Sequence, residues 1–151
     1  MSIISSSRPT LFFDAEVIGP WVFERAGGTW LPGRATAIGQ MQDGKINAGV
    51  LYEEWNGANL FCHIAGEGNW ANRRFLSVIY DYPFNHVGAK RITASVNSNN
   101  EQAIKLNIKM GFKLECTLTQ ATPDGDILLF RMFRDECKYL RGKYALSNLS
   151  N

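Results

Sequence analysis

The chain has 151 residues, of which 45% are hydrophobic, and its formal charge at pH 7 is +2. A chain of this length is expected to form one domain around one substantial core, so we predict a single domain over residues 1–151. So small a charge excess gives no nucleic-acid-binding footprint. No apolar stretch approaches the roughly 20 residues of a membrane-spanning helix, so we expect neither a nucleic-acid nor a membrane partner.

The first ten residues and the cysteines bear on where the protein works. The N-terminal MSIISSSRPT lacks the basic start and long apolar run of a secretory signal, so we expect a cytoplasmic protein. Cys62, Cys116 and Cys137 are too widely and irregularly spaced for a disulfide framework or a zinc site. With only His63 and His86 as further candidates, we expect no metal centre.

The first third of the chain predicts helices followed by a meander of strands. Apolar residues between Leu11 and Phe23 recur at helical spacing, and Gly19-Pro20 should break this segment into one helix and a second short one. Residues 36–42, 45–55 and 59–66 read as three antiparallel strands. Asp-Gly and Asn-Gly pairs separate them, and such pairs tolerate the positive φ of two-residue hairpin turns. The third strand, NLFCHIA, is apolar on both faces and should be central.

A helix and a strand follow. An apolar helical face begins at Phe75, and Pro83 should stop or kink that helix near Asp81, with Gly88 ending it. The segment RITASV, residues 91–96, alternates strictly between apolar and polar side chains, which predicts a strand with one face in the core.

The last third predicts a capped helix and a closing hairpin. Asn99 or Asn100 can cap the helix by accepting a backbone N–H, and Gly111 supplies the left-handed residue that ends it. The segments KLECTLTQ and DILLFRMFR flank a Thr-Pro-Asp-Gly turn signal and predict the hairpin. The final residues, ALSNLSN, read as a frayed tail.

This order of elements is that of an α/β fold with a mixed sheet, and one segment adds a family resemblance. The sequence AKRITASVNSNNEQAIKLNIKMGFK, residues 89–113, resembles the second half of the acetyl-CoA-binding core of the GCN5-related N-acetyltransferase (GNAT) superfamily, particularly its ribosomal-protein-alanine acetyltransferase-like branch. The element order matches over residues 36–134, and the residue-level match covers residues 82–113. The residues at the branch's characteristic places are Phe84, Gly88, Asn100, Ala103, Ile104, Lys109, Gly111 and Phe112.

The resemblance implies a single-domain GNAT-like fold, with a mixed, mostly antiparallel central sheet flanked by helices. Within it, the strands at residues 59–66 and 91–96 lie parallel and splay apart at their ends. The pantetheine arm of acetyl-CoA, the cosubstrate, enters that opening and pairs with the exposed strand edge, which carries His63, Ile64 and Gly66. The pyrophosphate sits on the following turn and helix N-terminus, where backbone N–H groups and the helix dipole attract phosphate.

The turn after Gly66 departs from the family pattern. The family has a basic residue or Gln, two other residues, a Gly, one other residue, and then Gly or Ala. Here Gly68 stands in the first glycine place, Trp70 stands in the second, and no Arg or Gln leads the turn. A degenerate pyrophosphate loop is therefore expected.

We hypothesise that other groups replace this glycine chemistry. Paired arginines on an exposed helix are solvated surface residues about as often as they are phosphate contacts. The glycines of the turn could likewise serve merely to end the strand. Asn100 is likewise either a simple cap or, as the resemblance favours, a residue on the cofactor side. The replacement set would be the backbone N–H groups of Asn69, Ala71 and Asn72, with the side chain of Arg73 or Arg74.

Acetyl transfer to an amine needs the amine deprotonated, the thioester carbonyl polarised and a proton returned to the leaving thiolate. In this superfamily a strand N–H usually polarises the carbonyl, a Glu or a water relay takes the proton, and a Tyr in the last helix protonates sulfur. Asn107 stands where that Tyr usually sits. It cannot serve as an acid, although it could hydrogen-bond the sulfur or orient a water.

The candidates for the base are Glu53, Glu54 and His63, of which we favour Glu54 and His63. The ordinary pKa of histidine lies close to neutral pH, as a base requires. Exposed strand carboxylates and a histidine packed in the core are the alternative interpretations. Aromatic residues could either wall an acceptor pocket or pack in the core; these are Tyr52, Trp55 and Trp70.

Two functions follow from the resemblance. The first is an acetyl-CoA-dependent N-acetyltransferase acting on an amine of an unknown small molecule or protein. The second is a catalytically degenerate GNAT-fold binding or structural protein, for which the altered turn and the missing Tyr speak. Small, degenerate members of the superfamily occur in bacteriophages, and the shortness of this chain is compatible with that origin. The acceptor stays unassigned, and so does the oligomeric state, a homodimer included.

Overall fold

The computed structural model describes residues 8–149, which form a seven-stranded mixed sheet with helices on both faces. The spatial order of the strands, numbered along the chain, is β1-β2-β3-β4-β5-β7-β6. The elements in chain order are β1 (Thr10–Phe12), α1 (Ala15–Ala26), β2 (Ala35–Gln42), β3 (Lys45–Glu53), β4 (Asn59–Gly66), α2 (Arg73–Asp81), a π-helical turn (Tyr82–Val87), β5 (Arg91–Asn97), α3 (Glu101–Met110), β6 (Lys113–Thr122) and β7 (Gly125–Phe133). Four short 3-10 helices follow between Arg134 and Asn148.

The N-terminal part differs from its prediction in two ways. Leu11 lies in the short edge strand β1, which pairs with β2, and is not part of a helix. The helix α1 begins at Ala15, capped by the Asp14 carboxylate, and runs through Pro20 to Ala26 without being divided. Tertiary packing outweighs the lost N–H of Pro20, because Ile18 and Val22 on this helix are completely buried against the sheet.

The predicted meander is confirmed as β2, β3 and β4, in which β3 pairs antiparallel with both β2 and β4. Asp43 and Gly44 both have positive φ, as a two-residue hairpin turn requires. The second connection is longer than predicted, because β3 ends at Glu53 and the loop includes Glu54 at φ 59° and Gly57 at φ 96°. The side chain of Asn56 closes that loop by accepting the backbone N–H groups of residues 58 and 59.

The elements predicted for the second half are confirmed. The helix beginning near Phe75 ends at Asp81, and the π-helical turn that carries Pro83 ends at Gly88, whose φ is 90°. Asn100, not Asn99, caps α3 by accepting the backbone N–H of Ala103 at 3.1 Å.

The two faces of the sheet are covered by different helices. On one face α1 lies close to β3, because Gly49 has no Cβ; a Cβ there would come within 2.8 Å of Ile18 and Val22. On the other face α2 and the C-terminal 3-10 helices cover the larger part of the core. The ring of Tyr139 stacks on Tyr80 at 4.7 Å. In the segment predicted to fray, residues 146–148 form a 3-10 helix and the Asn148 side chain donates to the backbone oxygen of Gly142, while residues 150–151 lie outside the described part.

No helix between residues 8 and 149 is long and apolar enough to cross a membrane. Residues 1–7, to which most of the secretory-signal prediction refers, lie outside the described residues.

Candidate functional site

The central strands β4 and β5 are parallel but pair only at their beginnings. A hydrogen bond at 2.6 Å from the Thr93 hydroxyl to the Asn59 side-chain oxygen reinforces this short paired region. Beyond it, the backbone of β4 from Cys62 to Gly66 has no strand partner on the β5 side. The paired residues are Asn59 with Arg91, Leu60 with Ile92, and Phe61 with Thr93.

Each of the two strands diverges because it follows its other neighbour. β4 stays paired with β3 as far as Gly66, opposite Ala48, and β5 stays paired with β7 as far as Asn97, opposite Ile127. Two antiparallel ribbons with their own twist separate where nothing pairs them. We call the resulting gap between the tips of β4 and β5 the cleft. The predicted splay is confirmed.

The cleft opens into a groove on each side. The larger one, of about 700 Å³, is the amide groove, named for its side chains; the smaller one, of about 350 Å³, is the β4 groove. The amide groove is lined by Ala26, Gly27, Gly28, His63, Ser95, Asn97, Asn99, Asn100, Glu101, Gln102, Thr122 and Ile127. The β4 groove is lined by Arg25, Ala26, Ile64, Ala65, Gly66, Glu67, Gln102, Ala103 and Leu106.

The end of α1 lies over the cleft. Ala26 lines both grooves and the floor of the cleft itself. The side chain of Asn100 donates a hydrogen bond to the backbone oxygen of Ala26 at 3.1 Å, which ties α1 to the beginning of α3. Asn100 is therefore both the cap of α3 and a wall of the amide groove.

His63 stands where the amide groove meets the cleft. Only Ala26, His63 and Ser95 line both spaces, and His63 is the titratable residue among them. Its Nε2 lies 2.8 Å from the Glu53 carboxylate, and its ring centroid lies 4.8 Å from that of Phe23. Burial lowers the pKa of His63 below its ordinary value, and the charge and hydrogen bond of Glu53 oppose that shift. The lowered pKa favours the neutral imidazole, which is the form that can accept a proton.

Asn107 also borders the cleft. It lies on α3 and contributes to the floor between the strand tips, together with Cys62 and Ala94. Its side-chain nitrogen donates to the backbone oxygen of Ala103 at 2.8 Å, which fixes the amide and leaves its oxygen as an acceptor. Asn107 is therefore near the cleft, as predicted, but its amide has no acidic proton with which to protonate a thiolate.

The turn after β4 is closed by apolar packing. Trp70 is 8% exposed and lies against Gly66, where a Cβ would come within 2.3 Å of the indole. Its ring also meets Phe75 edge-on at 6.1 Å. The indole therefore belongs to the core, and it does not border either groove.

A buried polar network holds the same turn. Gln40 on β2 is 1% exposed and donates to the side-chain oxygen of Asn47 at 3.0 Å and to the backbone oxygen of Trp70 at 3.1 Å. Asn72 donates to the Gln40 side-chain oxygen at 2.7 Å and caps α2 by accepting the N–H of Phe75 at 2.8 Å. The backbone oxygen of Trp70 and the side chains of Gln40 and Asn72 are thus satisfied by the protein itself.

Two exposed arginines begin α2 directly after this turn. Among residues 8–149, neither Arg73 nor Arg74 has a hydrogen bond or ion-pair partner. Cations in the first turn of a helix face the positive end of its dipole, which costs roughly 0.3 to 1 kcal/mol each. Both side chains are therefore available to an anion at the end of β4.

Several solved acetyltransferase structures are similar to this chain. A chimera of the spermidine N-acetyltransferase SpeG from Vibrio cholerae and hSSAT matches with a TM-score of 0.66 and 15% identity, over 90% of this chain and 100% of the other. The ribosomal-protein-S5-alanine acetyltransferase from Vibrio fischeri matches with a TM-score of 0.54 and 20% identity, over 69% of this chain and 64% of the other. A GNAT-family acetyltransferase from Bacillus anthracis matches with a TM-score of 0.54 and 13% identity, over 66% and 67% of the two chains. No protein-family model matches the sequence, and neither does a curated protein sequence.

The chain has the GNAT fold. At identities of 13 to 20% these likenesses establish the architecture, while function has to be argued from the site. The mixed sheet with one parallel pair, β4 with β5, is the element of the GNAT fold that the sequence resemblance implied.

The GNAT fold brings some of the predicted site residues together and separates others. His63, Ile64, Gly66 and Asn100 border the grooves, and Asn107 borders the cleft. The turn residues Gly68, Asn69 and Ala71 are exposed beyond the end of β4 and border neither groove. Asn72, Arg73 and Arg74 do not border the grooves either.

Glu54 lies elsewhere. It is exposed after the end of β3, and that end lies beside the beginning of β4, since Glu53 is opposite Phe61. Strand residues alternate between faces, so Glu53 and not Glu54 shares a face with His63. The register of β3 against β4 was the missing information, because the sequence offered two adjacent carboxylates.

Of the two interpretations of the aromatic residues, the structure supports core packing for Tyr52 and Trp70. Tyr52 is 3% exposed, and its hydroxyl donates to the backbone oxygen of Ile79 at 2.5 Å. Trp70 packs in the core and Trp55 is exposed after β3. None of the three lines a groove; carboxamides and hydroxyls do.

The sequence interpretation missed Arg25. Its Nε donates to Glu67 at 3.1 Å at the mouth of the β4 groove, and its guanidinium lies over the Trp21 ring at 3.9 Å. An arginine at the end of an amphipathic helix carries no signal of a site, because its partner Glu67 is distant in sequence.

Proposed function

We propose that this protein is an acetyl-CoA-dependent N-acetyltransferase that transfers an acetyl group to an amine. The observation that carries the proposal is the divergence of β4 from β5, which leaves five residues of β4 without a partner on the β5 side, at the cleft that the two grooves adjoin. An extended chain with amide groups, such as pantetheine, can take up backbone hydrogen bonds along such an edge.

The residues around the β4 groove fit the cosubstrate. The strand edge at Ile64 and Gly66 would hold the pantetheine arm, and Arg25, Arg73 or Arg74 would meet the phosphates. Acetyl-CoA supplies the activated acetyl group. The closed turn at Trp70 fits less well, because an indole packed on Gly66 stands where a second glycine would let the backbone approach a phosphate. Phosphate binding would therefore rest on side chains more than on a glycine-rich loop.

The residues around the amide groove suit the acceptor. As the amine attacks, the C–N bond forms and the C–S bond breaks; the amine proton passes to His63, and the leaving thiolate takes up a proton from solvent. His63 borders the cleft, and its lowered pKa favours the neutral form that a base requires. Asn107 cannot protonate the thiolate, but its side-chain oxygen could orient a water. Glu54 has no role in this proposal.

The chemistry of the amide groove favours a cationic acceptor. Among residues 8–149, Glu101 is the only carboxylate that lines it, and no Lys or Arg does. Ser95, Thr122 and four side-chain amides offer further hydrogen bonds. A small amine with additional cationic or hydroxyl groups therefore matches this groove better than an amine that carries a carboxylate or phosphate.

Calorimetry with acetyl-CoA, followed by thiol release in the presence of amines, tests the proposal. We expect binding at micromolar to millimolar cosubstrate and faster thiol release with a polyamine or amino sugar than with an amino acid. No binding at millimolar acetyl-CoA would overturn it. Binding without thiol release for any amine would favour the second candidate, a binding protein on the GNAT fold, which the closed Trp70 turn supports.

A further inference from the structure

We propose that Glu53 is a positioning residue, which holds His63 with its Nε2 protonated so that Nδ1 is the nitrogen that accepts the amine proton. This assignment deepens the proposed function and rests on it. Its structural basis is the pairing of a carboxylate on β3 with an imidazole on β4, both largely shielded from water.

The sheet register creates the pair. Leu51 is opposite His63 and Glu53 is opposite Phe61, so the two side chains are diagonal neighbours on the face covered by α1. The 2.8 Å bond joins groups whose side chains are only 18% and 17% exposed. A short contact between two shielded groups orients the ring more firmly than a surface pair would.

The imidazole is held from a second direction. The Phe23 ring on α1 lies 4.8 Å from it at an interplanar angle of 52°. With Nε2 donating to the carboxylate, Nδ1 carries the lone pair. This nitrogen has no hydrogen-bond partner among residues 8–149. It is not fully buried, so solvent can reach it.

Two further charged groups come from the elements around this site. On α1, Arg25 pairs with Glu67, and at the start of α3 the exposed Glu101 lines the same groove as His63. The charge and hydrogen bond that act on the pKa of His63 are those of Glu53. Burial lowers the pKa of His63 and Glu53 raises it, so loss of the carboxylate should lower this pKa further.

Imidazole NMR of the full-length protein tests the pair directly. The chain has two histidines, so His86 serves as an internal reference. In the unmodified protein we expect nitrogen shifts of the Nε2–H form for His63. In Glu53→Gln we expect a mixture of both forms and a lower pKa, whereas Glu54→Gln, the adjacent exposed carboxylate, should leave both unchanged.

Kinetics then separates positioning from simple folding support. We expect Glu53→Gln to lower kcat by about tenfold to a hundredfold, less than the roughly 10²–10⁴-fold contribution of a general base because His63 itself remains, and to leave the KM for acetyl-CoA unchanged. Activity rises with pH as His63 loses its proton, so the lower pKa should move the acid limb of the profile to lower pH while the plateau falls. Glu54→Gln should keep the unmodified profile.

The outcomes decide between the claims. An Nδ1–H form in the unmodified protein would overturn the positioning role without any variant, even if Glu53→Gln failed to fold. An unchanged kcat and pH profile in folded Glu53→Gln would overturn it as well. If acetyl-CoA does not bind at all, the proposed function fails, while the NMR experiment still decides whether Glu53 fixes the imidazole.

Discussion

Two regions at the same end of β4 differ in how much room they leave for a ligand. In the cleft, five residues of β4 have no partner on the β5 side, and four of them, residues 63–66, line the open grooves. In the turn that follows, between Glu67 and Asn72, the indole of Trp70 is packed on Gly66, and the Gln40 side chain donates a hydrogen bond to the backbone oxygen of Trp70. One region is open and the other is filled by the protein itself.

The difference has a physical origin. The cleft follows from strand pairing, since β4 stays with β3 and β5 stays with β7, and many residues along four strands maintain it. The turn depends on the few side chains within it. A binding geometry built into the topology of a sheet therefore persists under sequence changes that rewrite a loop of six residues.

The largest expected effect comes from filling the cleft. Ala103 on α3 borders both the cleft and the β4 groove, and Ala103→Trp would place an indole between the strand tips. We expect acetyl-CoA affinity, measured by calorimetry, to fall more than a hundredfold, or roughly 2.7 kcal/mol. Thermal unfolding followed by circular dichroism should show a folded variant.

The matched control is Lys105→Trp, which adds the same indole to an exposed position of the same helix. It should bind acetyl-CoA as the unmodified protein does. If folded Ala103→Trp retained full affinity, the cosubstrate would not occupy the cleft, and the open region would have no role in binding.

An intermediate effect is expected from loosening the closed turn. Gln40→Leu would leave the oxygens of Trp70 and Asn47 and the amide of Asn72 without their buried partner. Such groups cost about 1 to 3 kcal/mol each, partly relieved by relaxation, so we expect the free energy of unfolding to fall by about 2 kcal/mol. Urea denaturation measures this change.

Hydrogen exchange sharpens the same test. The backbone N–H of Asn72, bonded to the Trp70 oxygen at 2.9 Å, should exchange faster in Gln40→Leu than in Gln102→Leu, which replaces an exposed glutamine on α3. Equal stability of the two variants would mean that Trp70 packing alone closes the turn.

Much of the fold could be predicted from the sequence, because strong local signals agreed with tertiary structure. The strict alternation in residues 91–96 and the Asp-Gly turn each determined an element that the structure confirms. The exceptions were weak signals. Leu11 lies in a three-residue edge strand, too short for a periodic pattern, and Pro20 is tolerated because packing holds α1.

The site was less predictable, since its contacts join residues far apart in the chain. The resemblance located the cleft and the segment that carries Asn107. It could not indicate that Gln40 reaches Asn72, 32 residues away, or that Glu53 is the carboxylate in register with His63. Such contacts depend on strand register and on which face of the sheet a side chain occupies.

The smallest expected effect comes from removing the two arginine side chains that could bind phosphate beside the closed turn. Because Arg73 and Arg74 have no partner among residues 8–149, replacing both by Ala should cost little stability but weaken acetyl-CoA binding more than tenfold, or roughly 1.4 kcal/mol. The double variant Arg34→Ala, Lys45→Ala removes the same charge from two exposed positions, one just before β2 and one at the start of β3, and should bind normally.

Calorimetry with shorter cosubstrates identifies the phosphate group that the two arginines contact. If the arginines meet the pyrophosphate, the loss persists with dephospho-acetyl-CoA and disappears with acetyl-pantetheine, which lacks phosphate. A loss that already disappears with dephospho-acetyl-CoA would instead assign them to the 3′-phosphate, and an unchanged affinity throughout would make them solvated surface, leaving the cleft to bind the cosubstrate without an anion site.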